Sequence, residues 1–150
     1  MKTRRMTCAG AALALLFAAG CKDSPNHLGV IHGDVTGVAF RHKLDRDNAA
    51  HADLAVHGDV DFIHGHVDYQ FYPHRIRQNE WNFYWGLGVS YSADVSDDAD
   101  PDLVGLGFRV PLGLAYEFDD ESGDFFAQAA PFLVNDQLVF SWAIGVRFGI

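Results

Sequence analysis

The stretch LVFSWAIGVRFGI, residues 138–150, decides how the rest of the chain is read. Its even positions are Leu138, Phe140, Trp142, Ile144, Val146, Phe148 and Ile150, all large and apolar. Its odd positions are Val139, Ser141, Ala143, Gly145, Arg147 and Gly149, mostly small or polar. A period of two is the period of a strand, whose successive side chains point to opposite faces. Val104 to Phe118 repeats the pattern, with Leu106, Phe108, Leu112 and Leu114 on one face and Gly107, Arg109, Gly113 and Glu117 on the other. Trp81 to Ser92 repeats it again, with Trp81, Phe83, Trp85, Leu87, Val89 and Tyr91 against Asn82, Tyr84, Gly86, Gly88, Ser90 and Ser92. These runs exceed the roughly five or six residues usual for a globular strand. They satisfy the roughly 9 to 11 that a bilayer-crossing strand requires.

In a water-soluble sandwich the apolar face is the inside, and the outer face is rich in Lys, Glu and Thr. Here the non-greasy faces are rich in Gly, Ala and Ser, with isolated charges. Small residues suit the crowded interior of a narrow barrel, so the large apolar face is expected to point outward into lipid.

Working outward, Leu28 to Gly33 reads as a first strand, followed by a turn at Asp34 and Val35. Thr36 to Leu44, Ala49 to His57, Phe62 to Phe71 and Phe125 to Val134 complete a count of eight, the smallest usual transmembrane barrel. Gly58-Asp59 reads as a two-residue hairpin turn. Pro111 and Pro131 lack a ladder donor, so each predicts a bulge or strand end. The expectation is an all-β domain over residues 28–150: an eight-stranded antiparallel up-and-down β-barrel of the transmembrane type. With both termini periplasmic, Tyr69, Phe71, Trp81, Phe83, Tyr116, Phe118, Phe125 and Phe148 fall at one interface, where aromatic residues gather.

The start of the chain carries an address. Lys2, Arg4 and Arg5 precede an apolar stretch from Cys8 to Ala19, the layout of a secretory signal peptide over residues 1–20. Leu15 to Cys21 resembles the lipobox of bacterial lipoproteins, with Ala18 where Leu is usual, and Cys21 is the candidate lipidation site. Ordinary signal-peptidase cleavage near Ala19 or Gly20 is the alternative. Residues 21–27 then form a short tether. Removing the leader moves the net charge from −9 to −12, which excludes nucleic acid as a partner, since backbone binding needs clustered Lys and Arg. Cys8 lies in the leader, so the two cysteines make no disulfide framework.

The ending from Gly145 to Ile150 resembles the C-terminal targeting signal of bacterial outer-membrane barrels, with Ile150 where Phe is usual. The mature chain is also similar to a family of small outer-membrane β-barrel proteins, of the size of OmpX and the OmpA transmembrane domain. The residues that carry this are Gly33-Asp34-Val35-Thr36-Gly37, Arg109-Val110-Pro111-Leu112-Gly113-Leu114, Phe125 to Pro131, and Gly145-Val146-Arg147-Phe148. The resemblance implies an eight-stranded barrel with no assigned catalytic site. Integral barrels usually lack a lipid anchor, which is a departure.

The inward faces collect a polar network: Arg41, Lys43, His51, Asp53, His64, His66, Asp68, Arg109, Glu117 and Arg147. Paired charges filling a narrow interior are expected, because an unpaired buried charge is costly; a conduction path or gate is the functional alternative. With the Gly58-Asp59 turn, Asp53 falls opposite His64 and His51 opposite His66. That makes His51, Asp53, His64 and His66 candidate ligands for Zn²⁺ or Cu²⁺, although His beside Asp is also an ordinary hydrogen-bonding arrangement. The same histidines could make the interior pH-dependent. Asp94, Asp97, Asp98, Asp100 and Asp102 form an acidic loop without EF-hand spacing, a candidate for divalent-cation bridging to lipopolysaccharide. Asp119, Asp120, Glu121 and Asp124 read as a polar turn. No Gly-x-Ser-x-Gly elbow is present, and the inward Ser90 and Ser92 have no partner assignable from sequence.

The reading is therefore a non-enzymatic barrel of the bacterial outer membrane with a structural or surface-binding role and no cofactor. Its partners are outer-membrane lipid and lipopolysaccharide or another surface ligand. Two alternatives stand beside it. One is a lipid-anchored periplasmic barrel binding a small apolar ligand, with the greasy faces turned inward. The other is an envelope lipid-modifying enzyme.

Overall fold

The computed structural model describes residues 24–57, 62–75, 81–94, 103–118, 122–134 and 137–150. The leader, Cys21, the Gly58-Asp59 turn and most of the acidic loop lie outside the described residues. Nine strands follow in order: β1 Asn26–Gly33, β2 Thr36–Lys43, β3 Asn48–His57, β4 Phe62–Arg75, β5 Trp81–Asp94, β6 Leu103–Arg109, β7 Leu112–Glu117, β8 Gly123–Val134 and β9 Gln137–Gly149. All pairings are antiparallel, and β1 pairs with both β2 and β9, so the sheet closes in a ring.

The strand count differs from the expected eight at one place. β6 and β7 occupy a single position in the ring, both lying between β5 and β8. The break falls at Val110 and Pro111, and it has a chemical cause. Val110 N–H donates to the Pro131 carbonyl at 3.0 Å and Gly86 N–H to the Pro111 carbonyl at 2.8 Å. Neither proline can return the second bond of its pair, because it has no N–H. One long strand is thereby divided in two, while the register on either side stays the same, Leu112 against Ala129 and Arg109 against Phe132. Pro131 itself lies within an unbroken β8. A third proline, Pro73, sits where the β4–β5 register shifts between Phe71 and His74.

A second correction concerns the β3–β4 hairpin. His57 pairs with Phe62, which leaves four residues in the connection instead of two. Asp53 therefore stands opposite His66, His51 opposite Asp68, and His64 opposite Ala55. A shift of two preserves every side chain's face while changing its neighbour.

The alternation read from the sequence sorts cleanly in space. Phe108 is 73% exposed, Phe140 69% and Leu106 61%, all on the outer face. The inner positions are buried, and they include large side chains as well as small ones: Tyr84, Phe126, Arg41 and Arg147 are almost fully enclosed. Glycines make room for them. A Cβ on Gly113 would meet the Tyr84 ring, and one on Gly145 would stand 2.6 Å from Phe126 Cε1.

Outer aromatics pair at the end of the ring that carries both Ser24 and Ile150, whose carbonyl accepts a bond from the Ser24 hydroxyl at 2.6 Å. Phe71 stacks on Trp85 at 4.7 Å, and Trp81 meets Tyr116 edge-on at 5.2 Å. This is called the lower end below. The opposite end carries the short β1–β2 turn.

Candidate functional site

The site is the ring's interior, where side chains from eight strands, β2 to β9, meet in two linked groups. The lower group centres on Asp124, which is fully buried on β8. Arg147 on β9 grips its carboxylate with two bonds, Nε to Oδ1 at 2.8 Å and Nη2 to Oδ2 at 3.3 Å. Arg41 on β2 pairs with Oδ2 from the other side. Glu117 on β7 takes Lys43 at 3.2 Å and the far end of Arg41 at 3.9 Å. The Arg147 guanidinium also lies 4.0 Å over the Phe126 ring, a cation–π contact in a dry setting. Tyr84 donates to Gln128 Oε1 at 3.2 Å and Tyr72 to Gln70 Oε1 at 2.9 Å.

Arg147 then reaches upward. Its Nη1 donates to His51 Nδ1 at 2.7 Å, and His51 Nε2 donates to Asp53 Oδ1 at 2.7 Å. Beyond Asp53, His66 Nε2 lies 2.8 Å from Asp53 Oδ2 and 3.5 Å from Asp68 Oδ2. Arg109 Nε closes the group 3.3 Å from Asp68 Oδ1. Despite their closeness, His66 Nε2 and Asp53 Oδ2 are not aligned as a hydrogen bond, and both Asp68 oxygens also have no aligned donor. His51 and His66 stack with ring centroids 5.7 Å apart.

Each sequence-predicted network residue thus lies on an inward position. Arg41, Lys43, Glu117 and Arg147 fall in the lower group; His51, Asp53, His66, Asp68 and Arg109 fall in the upper one. His64 has its Nδ1 at 2.9 Å from the Ser92 hydroxyl and meets the His66 ring edge-on at 6.1 Å. Three of the four metal candidates come together: ligating atoms of His51, Asp53 and His66 lie within 4.8 Å of one another, without His64. The tautomer of His51 opposes a metal there. A guanidinium can only donate, so Nδ1 must accept and Nε2 must carry the ring proton. A metal-bound imidazole has the opposite polarity, with its second nitrogen donating outward.

Sequence reasoning missed several members. Asp124 is not part of a turn: it is the second residue of β8 and the anion on which two guanidiniums converge. Its parity with Phe126 and Gln128 on β8 was the available signal. Ser92 gains its partner through the β4–β5 register, which sets it opposite His64.

Above the upper group the interior opens into a cavity of about 440 Å³. Its floor is formed by Asp53, His64, His66, Ser92, Arg109 and Gln128, and its walls by Ile31, Val35, Phe132 and Val139. Comparison of the chain with protein-family models, curated proteins and solved structures finds no match.

Proposed function

We propose that the chain is an eight-stranded transmembrane β-barrel of the bacterial outer membrane, exported by residues 1–20 and lipidated at Cys21. Its role is non-enzymatic, structural or surface-binding. The observation that carries this reading is the distribution of charge. Within the strands, every described Asp, Glu, Lys or Arg side chain lies inside: Arg41, Lys43, Asp53, Asp68, Arg109, Glu117, Asp124 and Arg147. Among the described side chains of the strands, the outer face has none, and it carries Leu, Val, Phe, Trp and Tyr instead. A protein surrounded by water places its charges the other way round. A closed ring leaves no sheet edge to be hydrated over the length of its ladders, which is the condition for spanning hydrocarbon.

The interior fits the same reading. Four cations and four carboxylates fill it, so it is balanced overall and a poor conduction path. A periplasmic barrel with its greasy faces inward would need large apolar side chains where these eight charges stand. Lipid is accordingly the principal partner, and the acidic loop is the proposed contact to lipopolysaccharide.

The three tryptophans supply a test. Trp81, Trp85 and Trp142 all stand on the outer face, 41%, 37% and 52% exposed. Refolded into vesicles of brominated phosphatidylcholine, the protein should lose most of its tryptophan emission, while aqueous acrylamide has little effect. Strong acrylamide quenching with indifference to bromine would refute the membrane reading. For the non-enzymatic role, Ser92→Ala should leave any lipid-ester turnover by the purified protein at the level of the wild type. A loss confined to Ser92→Ala and His64→Ala would instead establish an enzyme.

A further inference from the structure

The cavity above the upper group opens sideways as well as upward. The β1–β9 ladder ends at Gly33 opposite Ala143, and the Asp34 carboxylate accepts the next N–H, that of Trp142, at 2.8 Å. β9 continues to Gln137, paired on its other side with β8. Five residues, 137–141, therefore rise beyond the β1–β2 turn, about 17 Å at ordinary strand rise. The wall is notched there. Phe140 and Trp142, whose side chains lie outside, border the same cavity as the inward Ile31 and Val139. The space thus runs from a polar floor, past apolar walls, to the apolar exterior.

The floor itself carries Asp53 and Arg109, and Asp68 lies against Arg109 without bordering the cavity. In the upper group two carboxylates, Asp53 and Asp68, face one guanidinium, Arg109. His51 is kept neutral by the bond it accepts from Arg147. The Asp53 side chain is 1% exposed and borders the cavity, yet its Oδ2 has no aligned donor, and neither do the nitrogens of His66. With His51 neutral, two carboxylates against one guanidinium leave the group room for one more positive charge, and Asp53 is where the cavity meets it.

We infer that this cavity binds a single-chain amphiphile with an ammonium head: the head lies on the floor beside Asp53, and the alkyl chain leaves through the notch along Phe140 and Trp142. The volume lies within the roughly 300–1,000 Å³ range of small-molecule sites. An anionic head is disfavoured by Asp53, and a buried tail by the polar floor. The inference takes the outer face to be lipid-facing, as proposed above.

The test is calorimetric titration of dodecylamine, dodecanol and dodecanoate into the full mature protein held in nanodiscs, with empty nanodiscs subtracted. Dodecylamine should bind saturably at one site, and dodecanoate at least about tenfold more weakly, the scale of one lost charge-assisted contact. Val139→Trp, at a wall position beyond the β1 ladder, should abolish binding while the protein keeps its heat-shifted gel mobility. Asp53→Asn should bring dodecylamine down to the affinity of dodecanol. Binding no different from empty nanodiscs, binding that survives Val139→Trp, or equal affinity for dodecanoate would overturn the proposal. Equal affinity of the wild type for amine and alcohol would also overturn it, because His66 would then carry the missing charge itself. Should Asp53→Asn not fold, the head-group series on the wild type and the Val139→Trp result decide. Heat-shifted mobility reports the barrel whether or not anything binds, so failure of the ligand and failure of the membrane reading are told apart.

Discussion

The lower and upper halves of the interior are built from the same residue types and differ in how much free space stands beside them. Below, Asp124 is held by Arg147 and Arg41, Glu117 by Lys43, and Gln128 and Gln70 by tyrosine hydroxyls, with only about 20 Å³ of free space beside Arg41 and Glu117. Buried polar atoms without an aligned partner occur in both halves, at His27, Arg41 and Gln70 below and at Asp53, His66, Asp68 and Arg109 above. The upper group, however, borders a cavity of about 440 Å³. The tightly filled lower network fixes the ring, whereas the upper one borders open space and is positioned to receive something. The hinge between them is the Arg147–His51–Asp53 chain, which ties the orientation of the upper carboxylate to the lower network.

The largest effect expected from this contrast comes at Asp124. Asp124→Ala leaves two buried guanidiniums facing each other and should cost about 3–5 kcal/mol of stability, read from urea unfolding in lipid vesicles or from loss of the heat-shifted band. Next comes Gly145→Val. Its Cβ would stand 2.6 Å from both Phe126 Cε1 and the Val30 carbonyl oxygen, displacing the ring under Arg147. An overpacking penalty of about 1–3 kcal/mol is expected. Smallest is Asp53→Asn. The amide oxygen can still accept from His51, and the upper group loses an excess negative charge, so the stability change should stay within about 1 kcal/mol. If Asp53→Asn proves as damaging as Asp124→Ala under the same urea assay, the two halves are equally structural and the contrast fails.

Much of this was legible before any coordinates, because a period of two over a dozen residues leaves little freedom. The runs 81–92, 104–118 and 138–150 became β5, β6 with β7, and β9, with their large side chains outside. The failures have local causes. A two-residue turn at Gly58-Asp59 follows from turn propensity alone, but the pairing of His57 with Phe62 leaves four residues in the connection, moving His66 rather than His64 beside Asp53. Asp124 was hidden by the acidic residues before it, since composition cannot separate a solvated turn from the first inward position of the next strand. Small residues were expected inside. Tyr84 and Phe126 stand there because glycines across the ladder, Gly113 and Gly145, leave the space. Such complementarity depends on register, and one sequence does not disclose register.

The most direct test of the central claim is extraction of the Cys21→Ala protein from membranes, which removes any lipid anchor and leaves the ring of strands to hold itself. The protein should remain with outer membranes through an alkaline wash and migrate faster unheated than heated. Release as a soluble, folded protein would contradict the account, because a ring whose described outer side chains include no Asp, Glu, Lys or Arg and are mostly apolar would then have to be covered by something other than lipid.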